Sequence, residues 1–240
     1  MDTLQTTPVE PHAASDTAHK LNRLRAGILG ANDGIVSVAA VLVGVAGATP
    51  QMGPLVLAGV ASITGGAISM ALGEYVSVSS SSDAQKSLIE IEQRELAEDP
   101  EGELRELASL YANKGLSDDT AMQVARELTA RDALAAHLDV ELHLSEDEVV
   151  SPMHAAVASF IAFIVGSMLP FLVAVLVPSP AKIPVTFLSV LTALALTGYT
   201  GAKLGDAQPV RAMVRTVVGG ALALGATFLI GWLLGTQGVV

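Results

Sequence analysis

The residues best suited to chemistry are glutamates in the stretch IEQRELAEDPEGELREL, residues 91–107. They come as two pairs, Glu92/Glu95 and Glu103/Glu106, each spaced i,i+3. Residues three apart share one face of an α-helix. Asp99-Pro100-Glu101-Gly102 interrupts the helix between the pairs. Two short helices folded back on each other would therefore turn all four carboxylates toward one volume. Further along, His137 and Glu141 stand i,i+4 and could join them. Carboxylate oxygens with an imidazole nitrogen suit divalent cations. A run of glutamates alone is usually a solvated face, and a histidine alone is usually structural. The conjunction of two Glu pairs with a His/Glu pair favours a metal site. No Glu-x-x-His pair of the di-iron bundle type is present, and no other catalytic constellation stands out, so the protein is not expected to be an enzyme.

A second group lies in apolar surroundings. Asp33 stands about 12 Å along a helix from Arg25, inside the apolar block Ala26–Ala48. A carboxylate at that depth in hydrocarbon is costly unless it faces protein or a wet path. Met70 and Glu74 are i,i+4 in the next apolar block. A membrane methionine usually only packs, but beside Glu74 and Asp33 its thioether becomes a plausible ligand. These three residues are the candidate transport path.

The elements that would hold these groups can be read from composition. The chain has 240 residues, 51% hydrophobic and 15% charged, with mean hydropathy +0.53. Its net charge of −11 is concentrated: residues 83–151 hold 18 acidic and 6 basic residues, leaving 6 acidic and 7 basic elsewhere. An acidic insert points to cations and away from nucleic acid. Cysteine is absent, so thiolate ligands and disulfides are excluded. Apolar blocks at 26–48, 55–78, 153–177, 185–203 and 210–234 are each long enough to span a bilayer. Gly30 and Gly34 would let another helix approach closely, and Pro170 is expected to kink the third block.

The expected fold is all-α, a polytopic membrane protein with five transmembrane helices and a cytosolic three-helix metal-binding insert between the second and third spans. Residues 1–19 are read as a disordered tail rather than a secretory signal, 20–82 as the first two spans, 83–151 as the insert and 152–240 as the last three. Within the insert, helices are expected over 83–98, 101–113 and 119–144, with Ser117 as a cap. Leu88, Ile91, Leu96, Leu104, Leu107, Leu110, Val124, Leu128, Leu134 and Leu138 are the expected shared core. Basic residues Lys20, Arg23 and Arg25, with Lys203, Arg211 and Arg215, place the N-terminus and insert in the cytosol and the C-terminus outside.

Four stretches together resemble the vacuolar iron transporter family, the Ccc-type Fe2+/Mn2+ transporters, in a bacterial-type form. They are GANDGIVS in the first span, GGAISMALGEYVSVSS in the second, the glutamate-rich insert, and TGYTGAKLGD at the end of the fourth. The resemblance, together with the Gly30/Gly34 packing face, implies a homodimer with a path between protomers; the resemblance further implies export of Fe2+ from the cytosol and proton antiport. The family's insert ligands fall on Glu92, Glu95, Glu103, Glu106 and Glu141. His137 stands where plant relatives have a methionine. In the membrane the family's aspartate and methionine fall on Asp33 and Met70. A plant-type membrane glutamate falls on Ser62, which leaves Glu74 as the candidate substitute.

The function expected is therefore a divalent transition-metal transporter, of Fe2+ with Mn2+ as a further cargo, working by proton exchange in a bacterial inner membrane. Its ligands are metal ions and protons, with Zn2+ or Co2+ as surrogates, and no prosthetic group is expected. The rival is a membrane-anchored metal-binding or sensing protein that moves nothing.

Overall fold

A computed structural model describes residues 11–142, 151–205 and 207–237, with residues 11–25 described by backbone alone. All regular structure among them is helical: α1 (Pro11–Ala48), α2 (Met52–Glu98), α3 (Pro100–Asn113), α4 (Asp118–Val140), α5 (Pro152–Leu176), α6 (Lys182–Leu204) and α7 (Pro209–Thr236). Five of them, α1 from Ala26 together with α2, α5, α6 and α7, are long and apolar enough to cross a membrane. Helix α1 already begins at Pro11. Residues 11–19 are thus helical where a disordered tail was expected, and residues 1–10 lie outside the described set.

Helix α2 runs unbroken for 47 residues, about 70 Å at 1.5 Å per residue. A bilayer core needs less than half of that. The apolar part ends near Val78, and Asp83, Lys86, Glu90, Glu92, Arg94, Glu95 and Glu98 come after it, so the second half of α2 is outside the spanning segment. The chain divides into two compact units, and α2 contributes to both. One holds Lys20–Val76 and Pro152–Val240; the other includes Ser77–Ser151.

In the spanning unit α1 is the central helix. Ile35, Ala39 and Val43, at i,i+4 spacing, bury against Val190 and Leu194 of α6 and Leu224 of α7. Val38 and Leu42, on another face, bury against Leu55 and Ala67 of α2 and Phe163 and Ala174 of α5. A helix apolar all round in this way belongs inside a bundle. Gly30 and Gly34 make the approach to α5 possible: a Cβ on Gly30 would lie 2.7 Å from the Ser159 carbonyl oxygen, and one on Gly34 would run into the Phe163 carbonyl. The expected small-residue face is real, but α5 of the same chain fills it. It gives no argument for a second copy. Pro170 sits buried within α5 without ending the helix.

The other unit is held by helix starts with side-chain caps. Asp99 Oδ1 accepts from the Gly102 amide at 2.9 Å, with Pro100 at the first helical position. Ser117 Oγ accepts from the Thr120 amide at 3.4 Å. Each satisfies a backbone donor that a helix start leaves unpaired. Gly115, at φ +103°, makes the turn between α3 and α4, a conformation that costs glycine little. Leu107 and Ala108 of α3 pack on Ala125, Ala136 and Val140 of α4. The shared core differs from expectation on the α2 side, because Leu88 and Ile91 are exposed. In the α3–α4 contact Ala108, Ala125 and Ala136 join the expected Leu104, Leu107, Leu110 and Leu128, while Val124 and Leu134 are not part of it. Helix α4 ends at Val140, with Glu141 as its C-cap, and residues 143–150 lie outside the described set.

Candidate metal centre

His137 is the centre of the cluster. It is fully buried, at 0% exposure, and Glu92 from α2 is nearly so at 4%. The imidazole Nδ1 lies 2.9 Å from Glu92 Oε1, 3.6 Å from Glu103 Oε2 and 3.8 Å from Glu141 Oε2. One helix supplies each part: Glu92 from α2, Glu103 from the first turn of α3, His137 and Glu141 from the end of α4. One ligand atom from each of Glu92, His137 and Glu141 lies within 4.8 Å of the others. Although Glu92 Oε1 and His137 Nδ1 are close, neither makes a hydrogen bond among the described residues. Buried polar atoms left in that state are costly. A cation between them would satisfy both at once.

The electrostatics favour the same conclusion. Burial, reinforced by the charges of Glu141, Glu103, Glu95 and Glu106, pushes the Glu92 carboxyl from an ordinary 4.5 up to about 7. Burial also raises Glu103, with Glu106 adding to it and His137 opposing it. Clustered carboxylates that resist losing their protons have lost solvation and gained like-charged neighbours, and His137 offsets this only in part. A divalent ion would supply further positive charge.

Of the six insert residues expected to bind metal, Glu92, Glu103, His137 and Glu141 converge on one point. Glu95 and Glu106 are exposed, yet near enough to raise Glu92 by their charge. Four glutamates expected as equals thus divide into an inner pair and an outer pair.

The spanning unit brings the second group together. Asp33, Met70 and Glu74 line one cavity of about 510 Å³, with Ser37, Ser62 and Ser69. Asp33 Oδ1 accepts from Ser37 Oγ at 2.5 Å. Ser62 lines the same cavity as Glu74, but the two are twelve residues apart on α2, about 18 Å along its axis. Glu74 shares the cavity without standing where a glutamate at 62 would. Sequence reasoning passed over two neighbours. Ser37, one turn beyond Asp33, was signalled by its i,i+4 spacing. Thr197, which donates to Asn32 Oδ1 at 2.5 Å, had no local signal, since that contact is made between distant helices.

A model of the VIT family matches residues 24–232. The chain belongs to the VIT family. It is 41% identical over 218 residues to a protein of Acanthamoeba castellanii named vacuolar iron transporter, covering 90% of this chain and 80% of that one. It is 34% identical over 217 residues to vacuolar iron transporter homolog 1 of Oryza sativa, covering 90% and 75%. It is 30% identical over 226 residues to vacuolar iron transporter homolog 2.1 of Arabidopsis thaliana, covering 93% and 87%. With five helices able to span and membership of the VIT family, the chain is an integral membrane protein. The matched residues take in both the cluster around His137 and the cavity around Asp33.

Proposed function

We propose that this VIT-family protein carries Fe2+, and Mn2+ as a second cargo, out of the cytosol in exchange for protons. The observation that carries the reading is the convergence of Glu92, Glu103, His137 and Glu141 on one point, in a chain with five helices able to cross a membrane. The relatives' names support iron as the cargo. Three carboxylates with one imidazole suit Fe2+ and Mn2+ better than Mg2+, which gives up its waters reluctantly.

In this reading the insert is cytosolic and captures the ion there. The basic residues at 20–25 and 203–215 support that orientation. The ion then passes through the cavity, where the Asp33 carboxylate and the Met70 thioether ligate it. Asp33 or Glu74 takes up a proton as the ion leaves, because a carboxylate cannot hold a proton and a metal in the same way at once. Glu95 and Glu106, exposed beside the inner ligands, draw cations toward them by their charge. A homodimer is proposed from the resemblance alone, since α5 covers the Gly30/Gly34 face.

The test is metal-dependent flux in proteoliposomes under an imposed pH gradient. Wild type is expected to accumulate Fe2+ and Mn2+ while protons move the other way. Asp33→Ala is expected to stop accumulation and Glu103→Ala to slow it. Metal bound by the protein but never accumulated would mark a sensor instead.

A further inference from the structure

Helix α4 is not one helix. At Asp132 the backbone is extended, with φ −164° and ψ 100°, between helical residues on both sides. Its carboxylate Oδ1 accepts from the Ala135 amide at 3.0 Å. An extended residue whose side chain bonds the amide three residues on is an N-cap. The unit's other helix starts use the same bond, Asp99 to Gly102 and Ser117 to Thr120. Asp132 therefore ends one segment and starts another, and the second segment carries His137 and leads to Glu141.

The break decides where those side chains stand. Ala121 and Ala125 are the fully buried residues of the first segment. At 3.6 residues per turn, an unbroken helix would carry His137 about 120° round from Ala125 and about 160° from Ala121. That is a third to nearly half a turn away from them, yet His137 is fully buried and lies 2.9 Å from Glu92. We infer that Asp132 is a positioning residue for the metal centre: by interrupting α4 and capping its second segment, it turns His137 and Glu141 toward Glu92 and Glu103. The inference rests on the proposed metal site and adds a residue that touches no ligand atom.

The test uses the full chain in detergent micelles, with Co2+ as probe. Affinity is read by chelator competition and ligand geometry by the visible Co2+ spectrum, with circular dichroism to check helix content. Wild type binds Co2+. Asp132→Ala weakens binding about 10–100-fold, as losing a supporting group does, and its spectrum shifts to that of His137→Ala. Adding Asp132→Ala to His137→Ala then weakens binding little further. Asp132→Asn and Asp132→Ser keep a capping oxygen and stay within about 3-fold of wild type. Ala133→Pro also stays within about 3-fold, because proline is accepted at the first position of a helix and favours an extended residue before it, whereas it would break a continuous helix. Unchanged affinity in Asp132→Ala, equal loss in Asp132→Asn, or loss of binding in Ala133→Pro would each overturn the inference while the metal reading stands. Failure of wild type to bind Co2+ overturns the metal reading and this inference with it.

Discussion

The cluster around His137 and the cavity around Asp33 both offer carboxylates with a softer donor, but they differ in density. The cluster sets four candidate side chains within 3.8 Å of one imidazole nitrogen or on it, with two more glutamates near. The cavity spreads Asp33, Met70 and Glu74 over about 510 Å³ among serines and glycines. A dense anionic site holds a divalent ion firmly and competes with protons for it. A sparse one binds weakly enough to let the ion go, which conduction requires. The contrast fits the proposed division of labour, with capture at the cluster and passage through the cavity.

The largest effect expected is at the sparse site, where Asp33 and Glu74 are the carboxylates lining the cavity among the described residues. Asp33→Ala lowers flux in proteoliposomes to that of protein-free vesicles, while metal binding by the cluster is retained. Loss of both together would erase the distinction between the two sites. Next, Glu92→Gln or His137→Ala lowers metal affinity by at least about 10–100-fold, the cost of removing even a supporting group. Flux at saturating metal then falls less than affinity does.

A pH effect comes from Glu92. Metal binding requires its deprotonated form, so affinity falls about tenfold per pH unit below about 7, as one proton is displaced. Titration calorimetry across pH 5.5–8 checks this, and a flat profile would contradict the burial argument. Stability without metal runs the other way. The folded-state pKa is raised from 4.5 to about 7, so the stabilising proton is fully held below 4.5 and lost as pH rises through 7. Glu92→Gln, which mimics the protonated group, is expected to stabilise the metal-free protein by up to ~3 kcal/mol above pH 7 and by nothing below pH ~4.5. Chemical denaturation at the two pH values reads the difference.

The last comparison sets α3 against α2 in the insert, and the smallest effect is the one at Ile91. Leu107→Ala, in the fully buried α3–α4 core, costs about 2–5 kcal/mol. Ile91→Ser, beside Glu92 but 43% exposed, changes stability by less than about 0.5 kcal/mol. A large cost for Ile91→Ser would mean that this part of α2 is held by apolar packing as well as by Glu92.

Most of the helical plan was legible in the sequence because apolar blocks and capping residues are local signals. The first span at 26–48 and the caps at Asp99 and Ser117 could be read from a few residues each. The gathering of Glu92, Glu103, His137 and Glu141 was legible in part: i,i+4 spacing puts His137 and Glu141 on one face, but the i,i+3 partners Glu95 and Glu106 did not turn inward with Glu92 and Glu103. The inner and outer ranks of the glutamates were not, because burial depends on how α3 and α4 meet. Nor was the exposure of Leu88 and Ile91: their spacing fits a core, but the buried cluster is built from residues of α3 and α4. Asp132 was hidden for another reason. A single Asp within a helical pattern is a weak signal, and only its bond to Ala135 turns it into a helix start. Gly30 and Gly34 were legible as a close-packing face, while the partner, α5 in place of a second copy, was not.

In the proposed function a divalent ion sits among these carboxylates and His137 during export. Anomalous diffraction from crystals of the full chain grown with Mn2+ tests it most directly. The account predicts a strong peak within coordination distance of Glu92, Glu103 and Glu141 and of the His137 Nδ1. Protein that accumulates Mn2+ in vesicles but shows peaks only on exposed carboxylates, with none beside His137, would contradict it.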